Sequence, residues 1–151
     1  RERFTVSGGD RTVSSAYVRV GKQIAGGDLV IRLEDASGNV LERGTVPASK
    51  LIAWKIYDLW KPNGVWVGFA FAAPRTLKNG QTYNLVLSSS AGTQYSIVSI
   101  THTRDACGDC GRVYNYSWAF HDGTAEKSVD GGKTWSRVYR SSPNNLQFYL
   151  R

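Results

Sequence analysis

Apolar and polar residues alternate along most of this chain, which is the pattern of β-strands that bury one face. The segments that show it are short, rich in Val, Ile, Tyr, Phe and Trp, and bounded by Gly, Asn, Asp or Ser. They predict an all-β fold, a β-sandwich of the jelly-roll or Greek-key kind with about nine to ten antiparallel strands and little helix. The segments are 12–20, 28–33, 39–46, 65–71, 82–87, 95–100, 113–120 and 146–150.

Two of these segments indicate which face meets the core. In the segment 65–71, large apolar residues occupy every second position, and Trp66 is the one large side chain on the other face. The neighbours of Trp66 on that face are small, so we expect its ring to be uncovered on one side. The segment 12–20 keeps its apolar residues on one face only if it contains a bulge, with Arg19 outward and either Ala16 or Tyr17 inward.

Length and composition indicate one globular domain over 1–151. The 151 residues are 41% apolar and 21% charged, which is typical of globular chains. No apolar run approaches the ~20 residues of a membrane-spanning helix, so no membrane partner is expected. Because the chain begins at Arg1 and contains no Met, we expect it to be a piece excised from a larger multidomain protein.

The net charge of +7 makes nucleic acids and acidic surfaces candidate partners. Basic residues are dispersed, however, and no two are adjacent in the sequence. We therefore expect no nucleic-acid partner.

The segment 52–66 interrupts the alternation and contains Trp54, Tyr57, Trp60 and Trp66. A Pro-Asn-Gly turn near its end favours a loop or a single helical turn. These rings either pack beneath the sandwich and cover an edge of it, or form a ligand-binding surface. Both are open because an aromatic ring buries a large apolar area and also offers a flat face for stacking.

A second aromatic concentration lies in the segment 113–120. Tyr114, Tyr116 and Trp118 share one face of the predicted strand. That face is either part of the core or a stacking platform for flat ligands such as pyranose rings.

The segment 128–135 matches the Asp-box pattern S-x-D-x-G-x-T-W at every defined position. In such a hairpin the Asp carboxylate accepts backbone N–H bonds, Gly supplies a positive φ, and the Trp packs under the loop. We predict structural roles for Asp130 and Trp135. The pattern occurs once, which excludes a propeller with one box in each blade.

The two cysteines, Cys107 and Cys110, are separated by Gly-Asp. A local disulfide in an extracytoplasmic domain is our interpretation, and it would stabilise a loop tip by roughly 2 kcal/mol. A zinc site with His102 and His121 remains an alternative, since the two cysteines and these two histidines would supply the ligands of a Cys2His2 site. A thioredoxin-type redox pair would need a βαβ context, which the pattern does not predict.

Sequence signatures of catalysis are absent, including G-x-S-x-G, H-E-x-x-H and the P-loop. A carboxylate pair such as Asp58 and Glu126 could still be assembled by folding, but nothing in the spacing requires it. We predict that the chain is not an enzyme.

Three stretches resemble the jelly-roll accessory domains of secreted microbial polysaccharide-active proteins, which are similar to carbohydrate-binding modules. They are DLVIRLEDASGNVLERGTV, VWVGFAFAAPRTLKNGQTYNLVLSS and DGTAEKSVDGGKTW with the closing NNLQFYL. The resemblance implies an extracellular protein, a neighbouring catalytic domain in the parent protein and a possible structural calcium. The segment 52–66 and the Cys107–Cys110 loop depart from the family pattern, and ligand choice resides in such loops.

These observations together favour a non-catalytic carbohydrate-binding module. It would bind polysaccharide by stacking sugar rings on exposed Trp and Tyr, with polar contacts to hydroxyls. The excess positive charge allows an acidic polysaccharide, with Arg104, Arg112 or Lys55 as cation partners. The alternatives are a structural or adhesion spacer without sugar binding, or a small polysaccharide-cleaving enzyme on the same fold. The ligand-binding candidates are Trp54, Tyr57, Trp60, Trp66, Tyr114, Tyr116, Trp118, Arg104 and Arg112.

Overall fold

The computed structural model describes residues 1–22, 26–51, 65–89, 95–97, 99–101, 124–137, 144–146 and 148–151. Within these ranges the regular structure is β, apart from one turn of 310 helix at Ala48–Lys50. The strands are β1 Glu2–Thr5, β2 Arg11–Lys22, β3 Leu29–Asp35, β4 Val40–Val46, β5 Val65–Leu77, β6 Thr82–Ser89, β7 Tyr95–Ile97, β8 Ser99–Thr101, β9 Thr124–Lys127, β10 Ser136–Arg137, β11 Asn144–Leu146 and β12 Phe148–Leu150.

The strands form two main antiparallel sheets. The larger sheet has the order β10-β9-β1-β6-β3-β4, and the smaller has the order β12-β2-β5, with β7 pairing the far end of β2. A separate pair joins β8 to β11. Successive strands change sheet from β1 to β2, from β2 to β3, and again from β4 to β5 and from β5 to β6, as in Greek-key sandwiches. The prediction of an all-β sandwich is therefore confirmed.

The core lies between the two sheets, and strands such as β3 contribute alternate residues to it. On the larger sheet Phe4 of β1 is 1% exposed, and its ring centroid lies 5.2 Å from that of Phe148 on β12 of the smaller sheet. This contact joins the two sheets. Other members of the same buried cluster are Val6, Ala16, Val18, Val20, Leu29, Ile31, Leu33, Val67, Phe71 and Leu85.

A bulge interrupts the pairing of β2 with β5, as the sequence pattern required. Ser15 pairs with Ala70 but Val13 pairs with Arg75, so Ser14 alone stands opposite the residues 71–74 of β5. The bulge resolves the phase of β2: Ala16 is the inward residue and Tyr17 faces outward.

A buried carboxylate, Glu42 of β4, stabilises this bulge from the opposite sheet. Its Oε1 accepts a hydrogen bond from Nε of Arg75 at 2.5 Å, and its Oε2 accepts one from the backbone N–H of Ala72 at 3.3 Å. A bulged strand leaves N–H groups without ladder partners, and the carboxylate supplies an acceptor for one of them.

The strand boundaries differ from the sequence prediction in four places. The segment 146–150 was predicted as one strand, but Leu146 belongs to β11, which pairs with β8, and 148–150 form β12, which pairs with β2. The segment 95–100 was predicted as one strand but is two, because β7 pairs with β2 and β8 with β11. β5 continues past Phe71 to Leu77, since β2 pairs with it again beyond the bulge. The short polar strands β1, β9 and β10 were not predicted, because their place depends on pairing rather than on apolar alternation. The predicted strand 113–120 lies outside the described residues.

In the described part of the chain, no helix has the length and apolar character needed to cross a membrane.

Gly44 of β4 gives a test of how tightly the two sheets pack. A Cβ placed on Gly44 would lie 2.1 Å from Cγ of Phe69 on β5, so the Phe69 ring rests directly on the Gly44 backbone. We expect Gly44→Ala to lower the free energy of unfolding by about 1–3 kcal/mol through overpacking, measured by urea unfolding.

The matched control is Thr45→Ala, an exposed neighbour on the same strand. We expect it to change the unfolding free energy by less than about 1 kcal/mol. Equal destabilisation by both substitutions would show that the Phe69 contact is not tight.

Candidate functional site

The outer face of the smaller sheet carries the exposed aromatic residues among those described. Trp66 of β5 lies opposite Arg19 of β2, and Tyr17 of β2 lies between Tyr149 of β12 and Gly68 of β5. Facing residues of antiparallel strands share one side of a sheet. The structure therefore places Trp66 on the solvent side, as its position among small neighbours predicts.

Three rings on this face form one group, which we call the aromatic cluster: Tyr17, Trp66 and Tyr149. The Tyr17 and Tyr149 rings stack with centroids 4.8 Å apart and an interplanar angle of 14°. The Trp66 ring lies 5.0 Å from Tyr149 at an angle of 59°. Trp66 is 41% exposed and Tyr149 is 37% exposed. Each ring is thus fixed by a neighbour while two of the three keep a large accessible area.

Gly68 makes room for the aromatic cluster. A Cβ at this position would lie 2.7 Å from Cδ1 of Tyr17 and 2.0 Å from the carbonyl oxygen of Ala16. Any side chain at Gly68 would therefore displace Tyr17 or the backbone of β2. The Tyr17 ring therefore lies over Gly68, while the exposed Ala70 adds only a methyl group on the same face of β5.

Two arginines bracket the row formed by Tyr17 and Tyr149. Arg19 follows Tyr17 by two residues on β2, and Arg151 follows Tyr149 by two residues and continues the ladder through reciprocal backbone bonds with Ser15. Two residues of strand span roughly 6.6 Å. Among the described outward positions from Ser15 to Arg19, and their partners on β5 and β12, none is a carboxylate.

Sequence reasoning missed Tyr17 and Tyr149 as site residues. Tyr17 was one of two candidates for the inward position, because the bulge hides the phase of β2. Tyr149 lies in a strand of three residues whose flanking Phe148 and Leu150 pack against the core. The alternation Phe-Tyr-Leu was the signal that could have indicated an outward Tyr.

Most of the residues proposed from the sequence lie outside the described residues. This applies to the aromatic candidates of the segment 52–64, to those of the segment 113–120, to the cation candidates and to the cysteine pair. They are Trp54, Lys55, Tyr57, Trp60, Arg104, Cys107, Cys110, Arg112, Tyr114, Tyr116 and Trp118.

The turn between β9 and β10 is organised by Asp130. Its Oδ1 accepts the backbone N–H of Thr134 at 3.0 Å and the Ser128 hydroxyl at 2.7 Å, and its Oδ2 accepts the Thr134 hydroxyl at 2.6 Å. Gly131 and Gly132 have φ of 74° and 92°, a conformation that glycine adopts without strain. The donors, led by the Thr134 hydroxyl, hold the pKa of Asp130 well below its usual range.

Trp135 lies beside this turn and joins it to the start of the larger sheet. Cζ of Arg1 lies 4.3 Å from the Trp135 ring centroid, a cation–π contact. Nε of Arg1 also donates to Oε2 of Glu126 at 2.7 Å. These contacts give Trp135, Glu126 and Arg1 a packing role in the described structure.

The described carboxylates form no centre for a metal ion. No group of three or more His, Cys, Asp or Glu side chains is close enough to hold one within the described ranges. His102 and His121, like Asp58, lie outside those ranges.

No protein-family model, curated protein or solved structure matches this chain.

The hydroxyl of Thr134 gives a test of the turn. The pKa of Asp130 is lower in the folded protein than in the unfolded chain, where it is about 3.9. The hydrogen bonds of Asp130 therefore stabilise the folded state fully above pH ~3.9. This contribution is lost as the pH falls from that value towards the folded-state pKa. We expect Thr134→Val to raise the pKa of Asp130 towards the usual value, as measured by carboxyl NMR titration. The turn should then lose stability at a higher pH.

Asp10 and Asp35 are internal controls in the same titration. Lys78 lowers the pKa of Asp10 and Asn39 lowers that of Asp35, both through side-chain hydrogen bonds. Their values should be the same in wild type and Thr134→Val. An unchanged Asp130 pKa in the variant would contradict the assigned role of Thr134.

Proposed function

We propose that this chain is a non-catalytic carbohydrate-binding module of a secreted, polysaccharide-active protein. It binds polysaccharide by stacking sugar rings on the aromatic cluster, with polar side chains contacting hydroxyl groups. Trp66, which the sequence nominated, and Tyr149 supply the accessible rings. A neighbouring catalytic domain of the parent protein is the partner whose substrate this surface would retain.

The observation that carries this proposal is the exposed position of Trp66 and Tyr149 on an ordered sheet. Burying a large aromatic ring is favourable, so rings left in solvent side by side commonly mark a binding surface. The Tyr17–Tyr149 stack holds the surface in place before any ligand arrives, which reduces the entropy cost of binding.

The test is retention on a panel of neutral and acidic, soluble and insoluble glycans, by affinity electrophoresis and pull-down. We expect wild type to be retained on at least one glycan. Trp66→Ala and Tyr149→Ala should each weaken that binding by about thirtyfold, the value expected for an interface residue worth roughly 2 kcal/mol.

Val129→Ala and Val40→Ala are the matched controls, since both remove an exposed apolar side chain away from the aromatic cluster. They should bind like wild type, and all four variants should unfold cooperatively in a thermal melt. Wild type that is retained on no glycan would overturn the proposal in favour of a spacer domain. Release of oligosaccharides would indicate the cleaving enzyme instead.

A further inference from the structure

We propose that the outer face of the larger sheet is a second binding surface, where a row of arginines binds a polysaccharide that carries carboxylate groups. This inference rests on the proposed function and adds to it a surface on the opposite side of the sandwich from the aromatic cluster. It gives part of the chain's net charge of +7 a location and a ligand.

The strand pairings of the larger sheet define this row. Arg43 of β4 lies opposite Arg32 of β3, which lies opposite Val86 of β6. At the other end Arg137 of β10 lies opposite Glu126 of β9. Arg1, directly before β1, exchanges backbone hydrogen bonds with Glu126 and so takes the position between β6 and β9. In order across the sheet, the arginine row is Arg43, Arg32, Val86, Arg1, Glu126 and Arg137.

The arginine row lies on the solvent side of the sheet. Ile31 and Leu33, on either side of Arg32, belong to the core, and Glu42, next to Arg43, points to the smaller sheet. Because side chains alternate across a strand, Arg32 and Arg43 face outward. Neighbouring strands are about 4.8 Å apart, so a row across six strands spans roughly 24 Å. That length suits an extended polymer rather than a single small ion.

The two ends of the row are the cations that a ligand would meet first. Arg1 donates to Glu126 and Arg32 donates to Glu34. Arg43 and Arg137 are exposed, and neither takes part in an ion pair within the described residues.

The next row of the same face leaves the balance positive. There the exposed Arg3 lies opposite Asn84, which in turn lies opposite Glu34. The arginine row together with Arg3 and Glu34 contains five arginines and two glutamates, a net charge of +3. An anionic polymer is attracted to such a surface, whereas a neutral one gains little from it.

The pairing of Arg32 with Arg43 gives a second reason to expect an anion. Like charges placed directly opposite each other on neighbouring strands destabilise a sheet. Glu34 offsets this repulsion from the side of Arg32 alone. An anionic group bound at Arg43 would offset it from the other side.

The chemistry of this face favours a carboxylate as that group. The planar guanidinium presents paired N–H donors whose spacing matches the two oxygens of a carboxylate. Arg1 and Arg32 already bind carboxylates in this way on the same face, with Nε–Oε distances of 2.7 and 2.8 Å. A polyuronate, which repeats a carboxylate along an extended chain, would supply the same partner to Arg43 and Arg137.

The decisive experiment compares polygalacturonate and alginate with their own methyl esters, which keep the sugar backbone and remove the charge. Binding is measured by calorimetry and affinity electrophoresis at low and high salt. We expect at least one free acid to bind about tenfold more tightly than its ester, as one charge-assisted hydrogen bond would give. We also expect this preference to shrink as salt rises.

Arg43→Gln and Arg137→Gln should each weaken binding of the acid by about three- to tenfold and leave retention on neutral glycans unchanged. Trp66→Ala should still bind the acid, because the aromatic cluster lies on the other sheet. The control is Arg11→Gln, which removes the same charge from an exposed position of β2 outside the arginine row and should have no effect.

Equal binding of acids and esters, or an equal loss in Arg11→Gln, would overturn this inference while the proposed function stands. Loss of acid binding in Trp66→Ala alone would do the same, since it would place the acid on the aromatic cluster. Sulfated dextran, duplex DNA or anionic vesicles bound through Arg43 and Arg137 in place of any polyuronate would also contradict it. Retention on no glycan, neutral or acidic, would instead count against the proposed function.

Discussion

The pairing of β2 with β5 is the constraint on which both faces of the smaller sheet depend. With Val18 opposite Val67, apolar side chains enter the core, and with Tyr17 opposite Gly68, the aromatic cluster faces solvent. A shift of one residue would exchange these faces and send Tyr17 into the core. Glu42 stabilises this register from the opposite sheet, because its carboxylate binds Ala72 within the unpaired stretch and Arg75 where the pairing resumes.

The aromatic cluster combines two properties that are seldom found together at an exposed surface. The rings are fixed, since Tyr17 and Tyr149 stack on each other and Trp66 contacts Tyr149. Two of them are also accessible, since Trp66 and Tyr149 are each more than one third exposed. The aromatic cluster is thus both fixed and partly accessible.

The sequence predicted the sandwich well because alternation reports burial directly, as Leu29, Ile31 and Leu33 of β3 illustrate. It placed Trp66 and Arg19 outward for the same reason. It did not place Tyr17, since a bulge shifts the phase of alternation at a point that only pairing reveals. Strands such as β1 and β9 are held by partners distant in sequence, so their own composition carries little information.

Tyr149 belongs to β12, which pairs with β2 across more than one hundred residues of sequence. The surface that carries the rings is therefore assembled from the most distant contacts in the smaller sheet, and contacts of this kind require the costliest loop closures in folding. A ligand bound there would draw the last strand into place and favour the finished sheet over any partly assembled one.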